Sequence, residues 1–217
     1  MAILRNYSPG NAMDIGPAVQ LWVLRILMML GGHREFVTSR GFSNDPVAEA
    51  LGLGFWIDAS QHHSIPEFLR KRGTPVADRD FDAKQVLADL RLLHRHAEKH
   101  AANVTLPPCL KLNVGQLADL VGLTPTDCRL LEFAVLINTE RRLDDTADCL
   151  GRLSSVKLFH VLSVILNIPE AEIRSSLAAE GILSRSGLIS VERSGDNQLR
   201  GKLNLLSDAF ADLMVTS

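Results

Sequence analysis

Apolar residues crowd into one run near the start of the chain and then thin into helical stripes. Between residues 19 and 30 only Gln20 and Arg25 interrupt the run. A membrane span takes roughly 20 apolar residues, so this run is too short for one and predicts a buried helix. Pro17 suits its first turn, and Gly31-Gly32 suits its end. The run has neither a basic leader nor a small-residue cleavage site, so it does not read as a signal peptide. A mixed stretch, 33–42, follows. Ser43-Asn44-Asp45-Pro46 then opens a short helix with Ser or Asn as cap, and Gly52 stops it. Phe55, Trp56 and Ile57 form an apolar plug, and Gly73-Thr74-Pro75 punctuates the end of this first unit.

Val86, Leu87, Leu90, Leu93 and Ala97 recur at three- and four-residue steps, which predicts a long amphipathic helix over about 81–101. Pro107-Pro108 interrupts the pattern. A domain boundary is expected there, between a helical domain at 1–105 and a second domain at 106–217. The second domain reads as a series of short helices, at 117–121, from Thr124-Pro125-Thr126-Asp127 onward, at 144–150, at 155–166 and at 170–179. Thr124 is the expected N-cap, with Pro125 at the first position and Asp127 three residues on.

The most informative pattern is Leu162-Ser163-Val164-Ile165-Leu166-Asn167-Ile168-Pro169-Glu170-Ala171-Glu172-Ile173. Two helices crossing at a tight turn need a small residue at the contact, which Ser163 supplies. They also need a residue tolerant of the left-handed region, which Asn167 supplies. Leu166, Ile168, Ile173 and Leu177 would be the turn's core. Gly181 ends the second helix. Gly187-Leu188-Ile189-Ser190-Val191-Glu192-Arg193 then alternates like a strand. Ser194-Gly195-Asp196-Asn197 is a turn cluster, and 199–203 is the expected returning strand. Helix, turn, helix and hairpin in that order predict a winged-helix module over about 155–204, the alternative being a helical bundle with a hairpin appended. A weaker echo at Ala118, Val121, Gly122, Leu123, Cys128 and Leu131 reads more simply as an αα-corner. The fold class expected is mainly α, with one small β-hairpin wing.

Composition narrows the functional classes. The 217 residues are 46% hydrophobic and 22% charged, with net charge -2, which suits one large or two small globular domains. Such a balance offers no bulk attraction to nucleic acid or an anionic membrane. Three scattered cysteines without a CxxC pair fit a reducing compartment, and a cytoplasmic location is expected. On the second helix of the motif, Glu170, Glu172 and Glu180 outweigh Arg174. The wing carries Arg185, Arg193, Arg200 and Lys202. An acidic recognition helix beside a basic wing predicts weak, non-specific nucleic-acid binding at most, and protein contact as the main use of this surface.

Candidate catalytic and metal motifs fail on detail. Gly195 to Gly201-Lys202 mimics a phosphate loop, but its spacing is five rather than four residues, and Leu203 stands where a hydroxyl should meet Mg²⁺. His96 and His100 are four apart on one helix face beside His94, without a residue that completes a tetrahedral set. His62-His63 sits in an expected loop. A metal-dependent enzyme is therefore the third-ranked class. No nucleophile elbow or Cys–His pair is assignable, and Asp144-Asp145 reads as helix N-terminal charge. No cofactor is expected.

Leu21-Trp22-Val23-Leu24-Arg25-Ile26-Leu27, Gly31-Gly32-His33-Arg34-Glu35-Phe36 and Ala48-Glu49-Ala50-Leu51-Gly52-Leu53 resemble the N-terminal region of a group of bacterial AAA+ ATPases. So do Gly122-Leu123-Thr124-Pro125, Leu130-Leu131-Glu132-Phe133-Ala134, and Gly187-Leu188-Ile189 with Leu203-Asn204-Leu205-Leu206. The resemblance rests on scattered apolar and glycine positions across most of the chain. It implies an ATPase core downstream. These residues contain no Walker A, Walker B or arginine finger, so no catalytic residue carries over. The implied role is recruitment of a protein substrate or partner and regulation of the motor. The alternative is a winged-helix DNA-binding regulator.

Overall fold

Short polar side chains set the helix starts. Asn44 Oδ1 accepts from the Val47 amide at 3.1 Å, and Asp82 Oδ1 accepts from the amides of Lys84 and Gln85. Thr124 and Asp127 exchange the two bonds of a capping box. Ser154 and Ser207 cap two later helices. Each bond satisfies a backbone N–H that the helix itself leaves without a partner.

A computed structural model describes residues 15–57 and 81–216. Gly73-Thr74-Pro75 and His62-His63 fall outside those residues. Among the described residues there are twelve α-helices. Eleven of them are α1 Pro17–Met28, α2 His33–Phe36, α3 Asp45–Ala50, α4 Ala83–Lys99, α5 Pro108–Val121, α6 Pro125–Thr139, α7 Arg141–Asp148, α8 Ser155–Leu166, α9 Glu170–Ser176, α10 Ile182–Arg185 and α11 Leu199–Lys202. The twelfth is α12 Asp208–Val215. Strands β1 Ile189–Val191 and β2 Leu203–Leu205 pair antiparallel, with Ile189 opposite Leu205 and Val191 opposite Leu203. The chain is mainly α with a small β-hairpin, as expected. No helix among the described residues is long and apolar enough to cross a membrane.

Helix α1 is buried on nearly every side, as an all-round apolar helix must be. It packs against α2, α4, α7 and α8. Trp22 meets Phe133 of α6 edge-on, with ring centroids 5.2 Å apart. One continuous core joins Val86 and Leu90 of α4, before residue 105, to Leu110, Leu130, Leu162 and Ile173 after it. The α4 stripe lies as its periodicity predicts, with Val86 and Leu90 fully buried.

Several boundaries differ from expectation for local reasons. Helix α5 begins at Pro108 rather than 117, because a proline at the first position lacks only an N–H the helix does not use. Helix α9 stops at Ser176, not 179. The chain then folds back so tightly that a Cβ on Gly181 would stand 2.5 Å from the Ser176 carbonyl oxygen, and α10 follows. The expected returning strand at 199–203 is instead the single turn α11, and the strand begins at Leu203. Asn197 forces the turn: its Nδ2 donates to the Gly201 carbonyl. The close approach requires glycine there, since a Cβ would lie 2.6 Å from that amide nitrogen.

Candidate interaction surface

The α8–α9 corner is held by its own short polar groups. Asn167 adopts the left-handed conformation, φ 54° and ψ 48°, and its amide donates to the Ser163 carbonyl. The Ser163 hydroxyl donates to the Ile168 carbonyl at 2.6 Å. Beneath the corner Leu162, Leu166, Ile173 and Leu177 are buried, and Ile168 is half-buried against them.

The outward side of α9 pairs with its surroundings. Arg174 donates from Nε and Nη2 to Glu170 Oε1, at 2.9 and 2.6 Å. Its guanidinium lies 4.5 Å from the centroid of the Phe159 ring. His160 Nδ1 stands 3.7 Å from the other Glu170 oxygen. Glu172 accepts from the Thr126 hydroxyl at the start of α6, at 2.9 Å. The face is therefore acidic at Glu172 and Glu180, and internally neutralised at Glu170 and Arg174. Phe159 and His160 belong to this surface and were missed in the sequence. Their signal was available, since positions 156, 159 and 160 share one face of α8.

The wing corrects one expectation outright. Lys202 is fully buried. Its Nζ donates to the carbonyls of Glu192 at 2.8 Å and Gly195 at 2.6 Å, and faces Ser155 Oγ at 3.5 Å. It pins the loop from within and presents no charge to a ligand. Arg200 donates to Asn138 Oδ1 at 2.9 Å and to Asp144 Oδ2 at 3.2 Å, on the side of α6 and α7. Arg193 reaches the Leu177 carbonyl at 3.5 Å. Arg185 is exposed, and its side chain has no hydrogen-bond or ion-pair partner among the described residues. The Glu192 carboxylate is held below its usual range by the Ser194 hydroxyl and amide. Of the residues picked from the sequence, Glu170 and Arg174 form one unit. Glu172 is tied to α6, Arg200 turns elsewhere, and Lys202 is internal.

The histidine face resolves into separate contacts. His100 Nδ1 lies 2.9 Å from the His96 carbonyl, and His94 Nε2 lies 3.3 Å from Glu98 Oε1. Among the described residues no group of three His, Cys, Asp or Glu could hold a metal ion. Cys109, Cys128 and Cys149 are free and half-buried. Burial pushes the Cys128 and Cys149 thiols up, away from the reactive thiolate. No protein-family model, curated protein or solved structure matches the chain.

Proposed function

We propose that the chain is a non-catalytic, winged-helix-containing region of an AAA+ ATPase that recruits a protein partner and regulates a downstream motor. The observation that carries the protein-contact part is the fate of the basic residues. Phosphate binding draws on free Lys and Arg. Lys202 is enclosed, Arg200 is held by Asn138 and Asp144, and Arg174 is held by Glu170. The exposed charge at α9 and just beyond it is acidic, at Glu172 and Glu180, a surface suited to a basic or polar protein segment. The motor rests on the resemblance of the apolar and glycine positions. A phosphate-binding loop in the reading frame beyond Ser217 is the observation that would support it.

Two features favour the winged-helix description. The α8–α9 corner is followed by the β1–β2 hairpin, and Leu153, just before α8, forms an isolated antiparallel bridge with Asn197. That supplies the short strand position ahead of the helix pair. The same order, with Arg185 exposed, supports the second reading, a DNA-binding regulator. A fluorescence-anisotropy titration with duplex DNA at physiological salt separates the two. We expect dissociation constants no tighter than the non-specific range of roughly 10⁻⁴ to 10⁻⁶ M. Nanomolar binding to one sequence over scrambled competitor would overturn the protein-contact reading.

A further inference from the structure

Helix α5 carries an exposed glycine that the fold does not use. A Cβ at Gly115 would meet nothing within 4 Å, so internal packing gives no reason for it. Glycine in a helix interior is less favourable than alanine. Beside it Leu112 is 62% exposed. Pro108, Lys111, Leu112, Gly115, Gln116, Ala118 and Asp119 together line one shallow depression on this outer face. Lys111 and Asp119 are both exposed, and neither has an ion-pair partner among the described residues.

The two charges stand four residues before and four residues after Gly115. At 1.5 Å per residue each lies about 6 Å along the axis from the glycine, on the same face. A two-fold axis through Gly115 would bring a second α5 alongside in the antiparallel sense. Each Lys111 then meets the second copy's Asp119, twice over. Leu112, three before Gly115, meets Ala118, three after it. The missing Cβ lets the axes approach at the short end of the usual 8–10 Å. A parallel pairing would set Lys111 against Lys111 and Asp119 against Asp119. We infer that α5 is a self-association surface, on which two copies of this chain pair antiparallel about Gly115. The inference does not depend on the function proposed above.

A 14-residue helix is about 21 Å long and makes a small contact, so the dimer should form reversibly at high micromolar concentration. Sedimentation velocity on the 217-residue chain from about 5 to 500 μM tests it. The sedimentation coefficient should rise from monomer toward dimer. Gly115→Leu should leave the chain monomeric. Lys111→Asp and Asp119→Lys each turn two attractions into repulsions and should weaken association about tenfold, while the double swap restores it. Circular dichroism of each variant keeps the comparison to folded protein. A monomer throughout the range overturns the inference. So does a dimer indifferent to Gly115→Leu and to the charge swaps, since it would use another face.

Discussion

Two cations are buried among the described residues, and their surroundings could hardly differ more. Arg25, in the middle of apolar α1, is 4% exposed. It makes a two-pronged ion pair with Glu98 of α4, at 2.7 and 3.0 Å, and donates to the Ile165 carbonyl of α8 at 2.7 Å. Lys202, in the wing, has no carboxylate in contact. Its partners are two backbone carbonyls and a distant hydroxyl, while the nearby Glu192 carboxylate turns to Ser194. Arginine's planar fork matches a carboxylate, whereas lysine's three donors suit separate acceptors on a curled loop. Arg25 therefore binds three helices that are distant in sequence. Lys202 holds a loop of its own neighbourhood. The lesson concerns range: the first cation fixes how the N-terminal helix sits on α4 and α8, and the second fixes only the shape of the wing.

The largest effect should come from breaking the long-range cation. Arg25→Met leaves Glu98 with only His94 at 3.3 Å and should cost about 3 kcal/mol, the low end for a broken buried pair, because Glu98 is one-third exposed and regains water. For a chain of this length that corresponds to a fall in Tm of about 6–12 °C. Adding Glu98→Leu to Arg25→Met should return most of it, since an apolar pair replaces the ionic one. A double variant as unstable as the single one would show that Arg25 acts by packing and not through its charge.

Lys202→Met should cost less, about 1–2 kcal/mol, for two carbonyls left without a donor in a loop that water can reach. The two substitutions should also differ in where they act. Hydrogen exchange after Lys202→Met should speed up at the Leu153 and Asn197 amides, which bridge the wing to the start of α8, and leave α1 and α4 unchanged. Faster exchange throughout would mean that the wing is part of the global folding unit.

How far these features could be read from the sequence follows the same division by range. Caps and corners were legible because their chemistry is local. Thr124 and Asp127 are three residues apart, and the turn of the corner lies between Ser163 and Ile168. The α4 stripe was legible because its period is. Arg25 was visible only as a break in an apolar run. Its partner lies 73 residues away, and nothing in the spacing links the two. Lys202 misled for a different reason: a lysine among Gly, Asn and Arg in a turn-rich segment looks solvated. Only the curl of 192–202, set by Asn197 folding onto Gly201, turns it inward. The same curl explains why 199–203, expected as the returning strand, contains a helical turn.

The smallest expected effect concerns two glutamates displaced in opposite directions. Glu98 lies below the ordinary glutamate value of 4.5, chiefly through its hydrogen bonds from Arg25, which outweigh the opposing effect of burial. Glu132 of α6 lies above that value, because burial outweighs the Arg129 charge and hydrogen bond. For Glu98 the unfolded chain takes up its proton first as pH falls, so this contribution to stability is present above about pH 4.5 and is lost below it. For Glu132 the folded chain holds the proton longer as pH rises. Stability therefore declines from about pH 4.5 upward through its raised pKa. Thermal melts across pH should show a maximum on the mildly acidic side, with Glu98 and Glu192 acting on the acid flank and Glu132 and Asp148 on the upper one. Arg25→Met should reduce the acid flank and leave the upper flank unchanged, the remainder coming from His94 beside Glu98 and from Glu192. Glu132→Gln should reduce the upper flank, leaving the share of Asp148, which burial and its acidic neighbours also push up, and raise Tm at pH 7 by a few degrees, on the order of 1 kcal/mol. The gain is limited because the amide also gives up the 3.3 Å pair with Arg129, whose side chain is 39% exposed and contributes little there. A fall in Tm at pH 7 would show that this pair outweighs the cost of burying the carboxylate, reversing the order of causes at Glu132 while leaving the assignment of the acid flank to Glu98 and Glu192 intact.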